Sequence, residues 1–442
     1  MVREIKSVAV MGAGTMGAGI AALCASKGFD VLLLDLPARE GDRNAIALGA
    51  RDRMVNGKPA ALDDAADAER IVVGNFEDDL ARVADYDLIV EAVAENLEIK
   101  RGLFERLEAA RRDGSVLSTN TSGIPLKDIA AGMPERLRRD IAVTHFFNPV
   151  KVMKLVELVP GEDTEAEVID GLAKFIDGGL DKGVVWAKDT VNFIANRIGC
   201  FWMLAGLHEA DRAFAEGLTI EDIDAAMSAP VGVPATGLFG LVDLIGLDVM
   251  HLVAENLAAN LGAGDVGRQY ASFPPKIEAM HARGQLGRKA GGGFYRMRKT
   301  DDGGRLKETF DLGAGDWREA ATAALDADHQ TLAGLLMADD ALGRFAWRVM
   351  GATLLYAADL VPDIADDIVN VDRAMRWGFA WRQGPFEMLD ALGPAKVIDR
   401  LKAEGKPLPK MLAVLRDAGV DGFYRNDGAE FLGVDGQWRA VS

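Results

Sequence analysis

The chain has 442 residues, 49% of them hydrophobic and 27% charged, which is the balance of a soluble globular protein with two to four domains. Its net charge of −18 argues against a nucleic-acid partner or an anionic membrane surface, and no apolar run approaches the ~20 residues of a membrane span. Cys24 and Cys200 lie in apolar helical runs, which favours reduced core thiols and a cytoplasmic location. Two cysteines and five scattered histidines predict no structural zinc site.

The first part of the chain alternates short strands with helices. Apolar runs predict eight strands, at residues 7–11, 31–34, 71–73, 88–90, 115–118, 141–144, 155–159 and 184–187. Helical patterns separate most of these runs. The alternation predicts an α/β, Rossmann-like domain over residues 1–187, with a mainly parallel sheet and helices on both faces.

The chain after residue 188 is predicted to be helical. Helical patterns occupy residues 190–217, 220–228, 239–262, 274–284 and 315–420. Residues 286–305 are rich in glycine and basic side chains and predict a domain edge or linker. The tail predicts short strands around a hairpin turn at Asp435-Gly436. These features predict helical domains over residues 188–300 and 301–442, the second with a short β tail.

The helical part contains an internal repeat. Residues 223–227 recur as 371–375, and residues 239–246 recur as 386–393, displaced by 147–148 residues. Upstream, residues 193–199 match residues 345–351. Chance similarity between helices rich in Ala and Leu is the alternative, but it does not account for three blocks in the same order. The sequence therefore predicts a duplicated all-α C-terminal module.

A glycine-rich turn follows the first predicted strand. It reads Gly12-Ala13-Gly14-Thr15-Met16-Gly17 and opens a helix. In this setting Gly12 allows the tight turn, Gly14 lets the backbone approach a pyrophosphate, and Gly17 allows helix and strand to pack closely. The helix N-terminus offers free N–H groups to the phosphates. The pattern predicts a dinucleotide site, with a purely structural turn as the alternative.

Asp35 decides which dinucleotide is predicted. It ends the second strand, 18 residues after Gly17. A carboxylate there accepts hydrogen bonds from the adenine ribose and repels a 2′-phosphate, so NAD is favoured over NADP. FAD uses the same fingerprint, but the histidine and carboxylate described next fit a nicotinamide enzyme better.

Polar residues follow two later strands. Residues 118–123 (STNTSG) come after one strand, and His145 ends the next. Because ligands in such folds bind beyond the carboxyl ends of the strands, we expect these residues to face the nicotinamide. Glu157 lies twelve residues after His145 in an otherwise mostly apolar run, and a buried carboxylate needs a partner. The two predict a general base and the group that orients it, against the alternative of a structural histidine.

Asn196 lies in the segment 188–197 (KDTVNFIANR), which opens the first helical module. Its position is equally compatible with a domain contact and with a substrate ligand. The other four histidines lack comparable polar company and are interpreted as structural: His208, His251, His281 and His329.

These segments together resemble the L-3-hydroxyacyl-CoA dehydrogenase family. The resemblance rests on GAGTMG (12–17), VEAVAENLEIK (90–100), NTSG (120–123), THFFNPV (144–150), MKLVELV (153–159), KDTVNFIANR (188–197) and GRKAGGGFY (287–295). With MRWGFAWRQGPFEMLDALG (375–393), the whole chain is similar to the dehydrogenase portion of bacterial fatty-acid-oxidation proteins. In those proteins an enoyl-CoA hydratase segment follows.

The resemblance implies roles for single residues. His145 takes the proton of the 3-hydroxyl group, with Glu157 as its partner. Ser122 and Asn196 hydrogen-bond the substrate near the reacting oxygen. Cofactor contacts fall on the glycine turn (12–17) and at Asp35, Glu95, Lys100, Ser122, Asn148 and Lys289, with Asn120 as a neighbour.

The chain departs from the family pattern at two places. Many members carry Pro-Gly where this chain has Val191-Asn192, and residues 38–60 offer no clear match for the serine and lysine that hold the CoA nucleotide in some members. In the second copy Arg348 stands where the first has Asn196, so that copy is expected to be non-catalytic. Many members with one helical module dimerise through it. A second module could take the partner's place, which allows a monomer and leaves a homodimer open.

The favoured function is NAD-dependent oxidation of (S)-3-hydroxyacyl-CoA to 3-oxoacyl-CoA in fatty-acid β-oxidation. One alternative is a β-hydroxyacid dehydrogenase of related fold, which typically uses a catalytic lysine in place of this His-Glu pair. The other is a non-catalytic nucleotide-binding subunit of a lipid-oxidation complex, against which the full set of site residues argues.

Overall fold

Eight short apolar runs form one sheet in the first part of the chain. The computed structural model describes residues 3–441, and the first of its two units ends at Ile194. The strands are β1 (Ser7–Met11), β2 (Asp30–Asp35), β3 (Ile71–Asn75), β4 (Leu88–Glu91), β5 (Val116–Thr119), β6 (Ile141–Phe146), β7 (Leu155–Pro160) and β8 (Gly183–Trp186). Each predicted strand is present to within two residues at either end.

The sheet has the strand order of a dinucleotide-binding fold. The order is β3-β2-β1-β4-β5-β6-β7-β8, and β1 to β6 run parallel. The chain then reverses, because β7 pairs antiparallel with β6, and β8 runs parallel to β7. The Rossmann-like, mainly parallel sheet is thereby confirmed.

Helices cover this sheet. They are α1 (Thr15–Ser26), α2 (Ala45–Asn56), α3 (Leu97–Ala110), α4 (Leu126–Ala130), α5 (Glu135–Asp140) and α6 (Ala166–Lys174). The central strands β1 and β2 are almost fully buried, since residues on both of their faces are apolar. Helix α3 begins after Asn96, whose side chain accepts a hydrogen bond from the N–H of Ile99 at 3.0 Å.

The second unit begins at Ala195 and is mostly helical. Its helices are α7 (Ala195–Ala215), α8 (Ile220–Ala226), α9 (Gly237–Ile245), α10 (Leu247–Asn260), α11 (Pro275–Ala282), α12 (Leu332–Leu336), α13 (Ala341–Ala346), α14 (Ala352–Leu360), α15 (Ile368–Gly378), α16 (Pro385–Leu392), α17 (Pro394–Ala403) and α18 (Lys410–Ala418). A short π-helical segment, Trp347–Gly351, joins α13 to α14.

Two small antiparallel sheets lie in the same unit. One has the order β11-β10-β9 and the other β12-β13-β14. Their strands are β9 (Tyr295–Lys299), β10 (Arg305–Asp311), β11 (Asp316–Glu319), β12 (Tyr424–Arg425), β13 (Glu430–Leu432) and β14 (Trp438–Ala440). The prediction of strands in the tail is correct, but the module is not all-α.

Residues 286–305, predicted as a domain edge or linker, contain regular strands, and their place at a domain edge stays a prediction. Strand β9 and the start of β10 occupy this segment, and the predicted domain boundary at 300 falls in the turn between them. These strands are hard to see in the sequence because β9 is rich in basic residues. The charges are matched across the sheet, since Glu308 on β10 accepts hydrogen bonds from Arg296 at 2.6 Å and Arg298 at 2.8 Å.

The predicted helix at 239–262 is two helices, because Gly246 at φ +101° separates α9 from α10. Across residues 3–441, no single helix is both long and apolar enough to cross a membrane. Taken together, α9 and α10 meet that test by length and composition, and they are bent by 93° with respect to each other.

Two aspartates, one buried and one half-buried, tie helices of the second unit to its small sheets. Asp243 on α9 accepts hydrogen bonds from the N–H groups of Phe294 at 2.8 Å and Tyr295 at 2.7 Å. Asp390 on α16 accepts from Phe423 at 2.7 Å and Tyr424 at 2.9 Å. Burial raises the pKa of each aspartate to about 6, against the lowering effect of these hydrogen bonds.

We expect Asp243 to make the unfolding free energy depend on pH. Because the folded state holds this proton more tightly than the unfolded chain, the contribution is largest below pH 4 and is lost as pH rises through about 6. A shift of about two pKa units corresponds to about 3 kcal/mol. In urea titrations, raising the pH from 4 to 7 should therefore lower the unfolding free energy of the wild type by up to about 3 kcal/mol more than that of Asp243→Asn. Parallel pH curves would contradict this.

Candidate active site

The glycine turn between β1 and α1 has the shape that a dinucleotide requires. Gly12 has φ +106°, and a Cβ on it would lie 2.6 Å from the carbonyl oxygen of Ala92. A Cβ on Gly17 would lie 1.9 Å from the carbonyl oxygen of Gly12. A Cβ on Gly14 would meet nothing within 4 Å, so this residue faces open space. Two glycines are therefore fixed by packing, and the third leaves the backbone free to approach a phosphate.

Asp35 closes one side of this turn. Its Oδ2 accepts a hydrogen bond from the N–H of Ala13 at 2.5 Å, and its Oδ1 accepts from the N–H of Leu36 at 2.6 Å. The carboxylate thus lies against the glycine turn, at the carboxyl end of β2, where the adenine ribose is bound in this class of fold. The residues present fit NAD.

His145 and Glu157 meet across the reversal of the sheet. They are register partners on β6 and β7, and Nδ1 of His145 lies 2.7 Å from Oε2 of Glu157. Both side chains are buried, at 3% and 0% exposure. The N–H of Ile194 donates to the other carboxylate oxygen at 3.0 Å. Both oxygens of Glu157 therefore act as acceptors, which holds the imidazole by one nitrogen.

The second nitrogen of His145 points to Ser122. Its Nε2 lies 3.1 Å from Oγ of Ser122. Because a carboxylate can only accept, the proton in the bond to Glu157 belongs to Nδ1, and Nε2 accepts from the serine hydroxyl. The rings of Phe147 and Phe193 pack at 4.5 and 5.6 Å from the imidazole. This arrangement presents a basic nitrogen beside a hydroxyl in an otherwise apolar environment.

Glu95 anchors the loop that carries Ser122 by three hydrogen bonds. One of its carboxylate oxygens accepts from the Thr121 hydroxyl at 2.6 Å and from the N–H groups of Ser122 at 2.9 Å and Gly123 at 3.0 Å. Burial acts to raise the pKa of Glu95, but Lys100 and these hydrogen bonds outweigh it, and the net shift is downward. Glu95 thus fixes the backbone of the loop.

A buried ion pair supports Glu95. Lys100 is 1% exposed, and its Nζ lies 2.8 Å from Oε1 of Glu91 and 3.1 Å from Oε2 of Glu95. The Thr119 hydroxyl donates to the other oxygen of Glu91 at 2.6 Å. Glu91 was missed in the sequence, although it ends β4 just as Asp35 ends β2. The ammonium of Lys100 thus supports the Ser122 loop through Glu95. A direct contact of Lys100 with a cofactor stays a prediction.

Comparison with known proteins identifies the family. Residues 7–190 match the family model of the 3-hydroxyacyl-CoA dehydrogenase NAD binding domain, and residues 193–297 match that of the C-terminal domain. The chain belongs to the 3-hydroxyacyl-CoA dehydrogenase family. The match to its NAD binding domain agrees with the glycine turn and Asp35, and NAD is the cofactor of this dehydrogenase fold.

Two relatives illustrate the extent of the similarity. The chain is 34% identical to a probable 3-hydroxyacyl-CoA dehydrogenase of Bacillus subtilis over 100% of its length and 58% of that protein. It is 35% identical to a putative fatty acid oxidation complex trifunctional enzyme of Rickettsia felis, over 93% of this chain and 57% of that one. The chain thus spans less than two thirds of either relative.

A solved structure covers most of the chain. The crystal structure of 3-hydroxybutyryl-CoA dehydrogenase from Escherichia coli K12 aligns with a TM-score of 0.67 and 25% identity. It covers 93% of this chain and 98% of that chain, so the likeness extends beyond the part matched by the C-terminal family model.

The remaining predicted positions of the dehydrogenase lie in both units. Asn120 is buried, and its side-chain oxygen accepts from the N–H of Phe146 at 2.9 Å, which joins the ends of β5 and β6. Asn148 is exposed. Asn196 is half-buried in the first turn of α7, and Lys289 pairs with Asp248 at 2.6 Å. The roles of these four residues stay predictions.

We expect Lys100→Met to destabilise the dehydrogenase. The change leaves the carboxylates of Glu91 and Glu95 close together without their cation, and removing one partner of a buried pair costs about 3–5 kcal/mol. Lys127→Met is the matched control, because Lys127 is exposed, and should change the unfolding free energy by less than about 0.5 kcal/mol. Urea unfolding of both variants measures the difference, and equal effects would argue against the ion pair.

Proposed function

We propose that the chain catalyses NAD-dependent oxidation of (S)-3-hydroxyacyl-CoA to 3-oxoacyl-CoA, a step of fatty-acid β-oxidation. The observation that carries the proposal is the line of hydrogen-bonded groups from Glu157 through His145 to Ser122, with distances of 2.7 and 3.1 Å. It ends beside a loop that Glu95 fixes. A base, the group that orients it and a hydroxyl are what removal of an alcohol proton requires.

In this proposal Nε2 of His145 removes the proton of the 3-hydroxyl group. Glu157 accepts from Nδ1, holds the ring in place and stabilises the imidazolium that forms. The glycine turn and Asp35 would hold NAD, which would supply the acceptor for the hydride that leaves C3. Ser122 hydrogen-bonds the substrate oxygen as it becomes a carbonyl, and Asn196 is proposed to do the same from the start of α7. Asn148 and Lys289 are proposed to contact the cofactor.

We expect His145→Gln to lower kcat by about 10²–10⁴-fold, the usual effect of losing a general base. The change should leave NADH binding intact, because the glycine turn and Asp35 lie on other strands. The assay follows NADH oxidation with acetoacetyl-CoA and longer 3-oxoacyl-CoA substrates. His208→Gln is the control and should keep wild-type turnover.

Three results would contradict the proposal. Near-normal turnover of His145→Gln would remove that residue from the mechanism. Turnover of free 3-hydroxy acids but not of CoA thioesters would favour the related β-hydroxyacid dehydrogenases. NADH binding without thioester-dependent oxidation would favour a non-catalytic subunit.

We also propose that the second unit contains two copies of one module. Each copy has helices followed by a three-stranded antiparallel sheet. In each, one aspartate accepts from the backbone of a later helix and from a tyrosine hydroxyl. The groups are Asp224 with Phe239 N at 2.7 Å and Tyr295 Oη at 2.8 Å, and Asp372 with Phe386 N at 2.8 Å and Tyr424 Oη at 2.9 Å.

Two cavities add to this correspondence. A cavity of about 730 Å³ lies beside Asp224 and Tyr295, and one of about 320 Å³ lies beside Asp372 and Tyr424. Burial raises the pKa of Asp224 to about 7 and that of Asp372 well above its ordinary value. The same unusual pairing of a protonatable aspartate with a tyrosine thus occurs twice, which supports duplication rather than chance similarity.

The second copy is proposed to be non-catalytic and to replace the partner subunit of relatives with one module. Arg348, which stands in the place of Asn196, pairs with Glu209 of α7 at 2.7 Å. The ring of Tyr356 on α14 stacks on Phe201 of α7 at 4.3 Å. These contacts join the two copies within one chain, as a subunit interface would.

We therefore expect a monomer in solution. Light scattering after size exclusion should give a mass near the 47.3 kDa of the chain, and specific activity should not change on dilution. A mass about twice as large, with activity lost on dilution, would show that the second copy does not replace a partner.

The setting of the enzyme is part of the same proposal. Within residues 3–441, Cys24 and Cys200 are free and buried, which suits a reducing compartment and supports the cytoplasm. Since the chain spans 57% of a relative named for a trifunctional complex, we propose that it works together with an enoyl-CoA hydratase segment or subunit.

A further inference from the structure

Two histidines interpreted as structural from the sequence lie side by side in the second unit. His251 on α10 and His281 on α11 stack with ring centroids 4.3 Å apart and an interplanar angle of 14°. Glu278, one turn before His281, lies between their edges: its carboxylate is 3.5 Å from Nε2 of His251 and 3.7 Å from Nδ1 of His281. Both imidazoles are half-buried, and the carboxylate is exposed.

Hydrogen bonding does not account for this arrangement. N–H···O bonds have their optimum near 2.9 Å, and both separations are longer. Ligand atoms at 2.0–2.1 Å from a tetrahedral metal ion are separated from one another by roughly 3.3 Å. One ligand atom from each of the three side chains lies within 4.8 Å of the others. The three ligand atoms lie farther apart than those around a bound ion, so binding would draw them together and turn the stacked rings toward the ion.

The surroundings of His251 also suit a metal ligand. Its other nitrogen, Nδ1, lies 3.7 Å from Oε2 of Glu255, on the side of the ring opposite to the cluster. At this distance the carboxylate makes no hydrogen bond to the ring, but it adds a negative charge beside the cluster, which favours a cation. The ring of Phe273 covers one side of the site, at 5.3 Å from His251 and 6.1 Å from His281.

The fold of the module does not require these residues. Helix α17 follows Gly393 as α10 follows Gly246, and counting from these glycines places Ile398 where α10 has His251. Helices α11 and α18 both end with a glycine N–H donating to the carbonyl three residues before it, at His281 and Arg416. The second copy thus forms the corresponding helices without the cluster, so the histidines are not needed for packing.

We propose that His251, Glu278 and His281 form a binding site for a divalent transition-metal ion, with Zn²⁺ as the best-suited occupant. Two imidazoles and one carboxylate are a donor set that zinc accepts, and the exposed side of the cluster leaves a fourth position for water. This proposal is independent of the dehydrogenase reaction, because it uses none of the residues assigned to catalysis or to NAD.

The metal would connect two helices that a long segment separates. Residues 261–274 join α10 to α11, and in them Asp265 forms an ion pair with Arg197, the residue after Asn196. A metal bound by both helices would close this segment and would stabilise the folded state. Its expected role is structural.

Zinc titration of the chelator-treated full chain tests the proposal. Isothermal titration calorimetry with Zn²⁺ alone should show one equivalent bound per chain, and saturation should raise the midpoint of thermal unfolding by about 3–5 °C. The double variant His251→Gln/His281→Gln should lower the affinity at least about 100-fold and abolish the thermal shift. Glu278→Gln should weaken binding while keeping both histidines, and Co²⁺ in place of Zn²⁺ should give the visible spectrum of a tetrahedral site.

His329→Gln is the matched control, because His329 pairs with Asp340 at 2.8 Å in the other copy and is distant from the cluster in sequence. The His329→Gln variant should still bind one equivalent of zinc per chain. Absence of a stoichiometric zinc site in wild type would overturn the proposal. So would a stoichiometric site that the double variant retains, because the ion would then be bound elsewhere. Circular dichroism of each variant ensures that lost binding is not lost folding.

Discussion

The antiparallel pairing of β7 with β6 sets the geometry of the His145–Glu157 pair in the first unit. The reversal makes His145 and Glu157 direct register partners, so that a basic ring and a carboxylate face each other inside the sheet. Side chains alternate between the two faces of a strand, and a slip of one residue would move Glu157 to the opposite face. A sheet that stayed parallel would offer only the residues at its strand ends. The reversal therefore places an oriented imidazole at the edge of the sheet where the glycine turn lies.

The loop that carries Ser122, opposite His145, is fixed by a network of charged side chains. Ser122 is placed by Glu95, and Glu95 is placed in turn by Lys100, which is itself paired with Glu91. Burying the charges of Lys100 and Glu91 is unfavourable unless they are paired and hydrogen-bonded, and here each carboxylate of the network has several donors. This network holds the hydroxyl of the loop 3.1 Å from the imidazole before any substrate arrives. Such preorganisation is what a proton transfer needs.

Physical rules that act locally explain which parts could be predicted. Strands buried on both faces are apolar runs bounded by turns, and all eight were visible for this reason. The pairing of Glu157 could be predicted because a carboxylate in an apolar run needs a partner. The burial of Lys100 in an ion pair could not be predicted, because a lysine on a helix is ordinarily exposed. Its burial depends on Glu91, which another element supplies. Strand β9 and the cluster of His251 with His281 depend in the same way on contacts between residues distant in sequence.

The proposed duplication shows which residues a fold constrains and which it leaves free. A carboxylate that accepts backbone N–H groups cannot be replaced without leaving those donors unpaired, and Asp243 and Asp390 accordingly make the same contacts. The side chains at position 196 and at the matching position 348 do not have to accept such backbone N–H groups. Position 196 is an asparagine and position 348 is an arginine. In the proposed duplication, each copy could therefore keep its fold with a different residue at this position. The hydrogen bonds to the aspartates preserve the architecture, and positions 196 and 348 are free of that constraint.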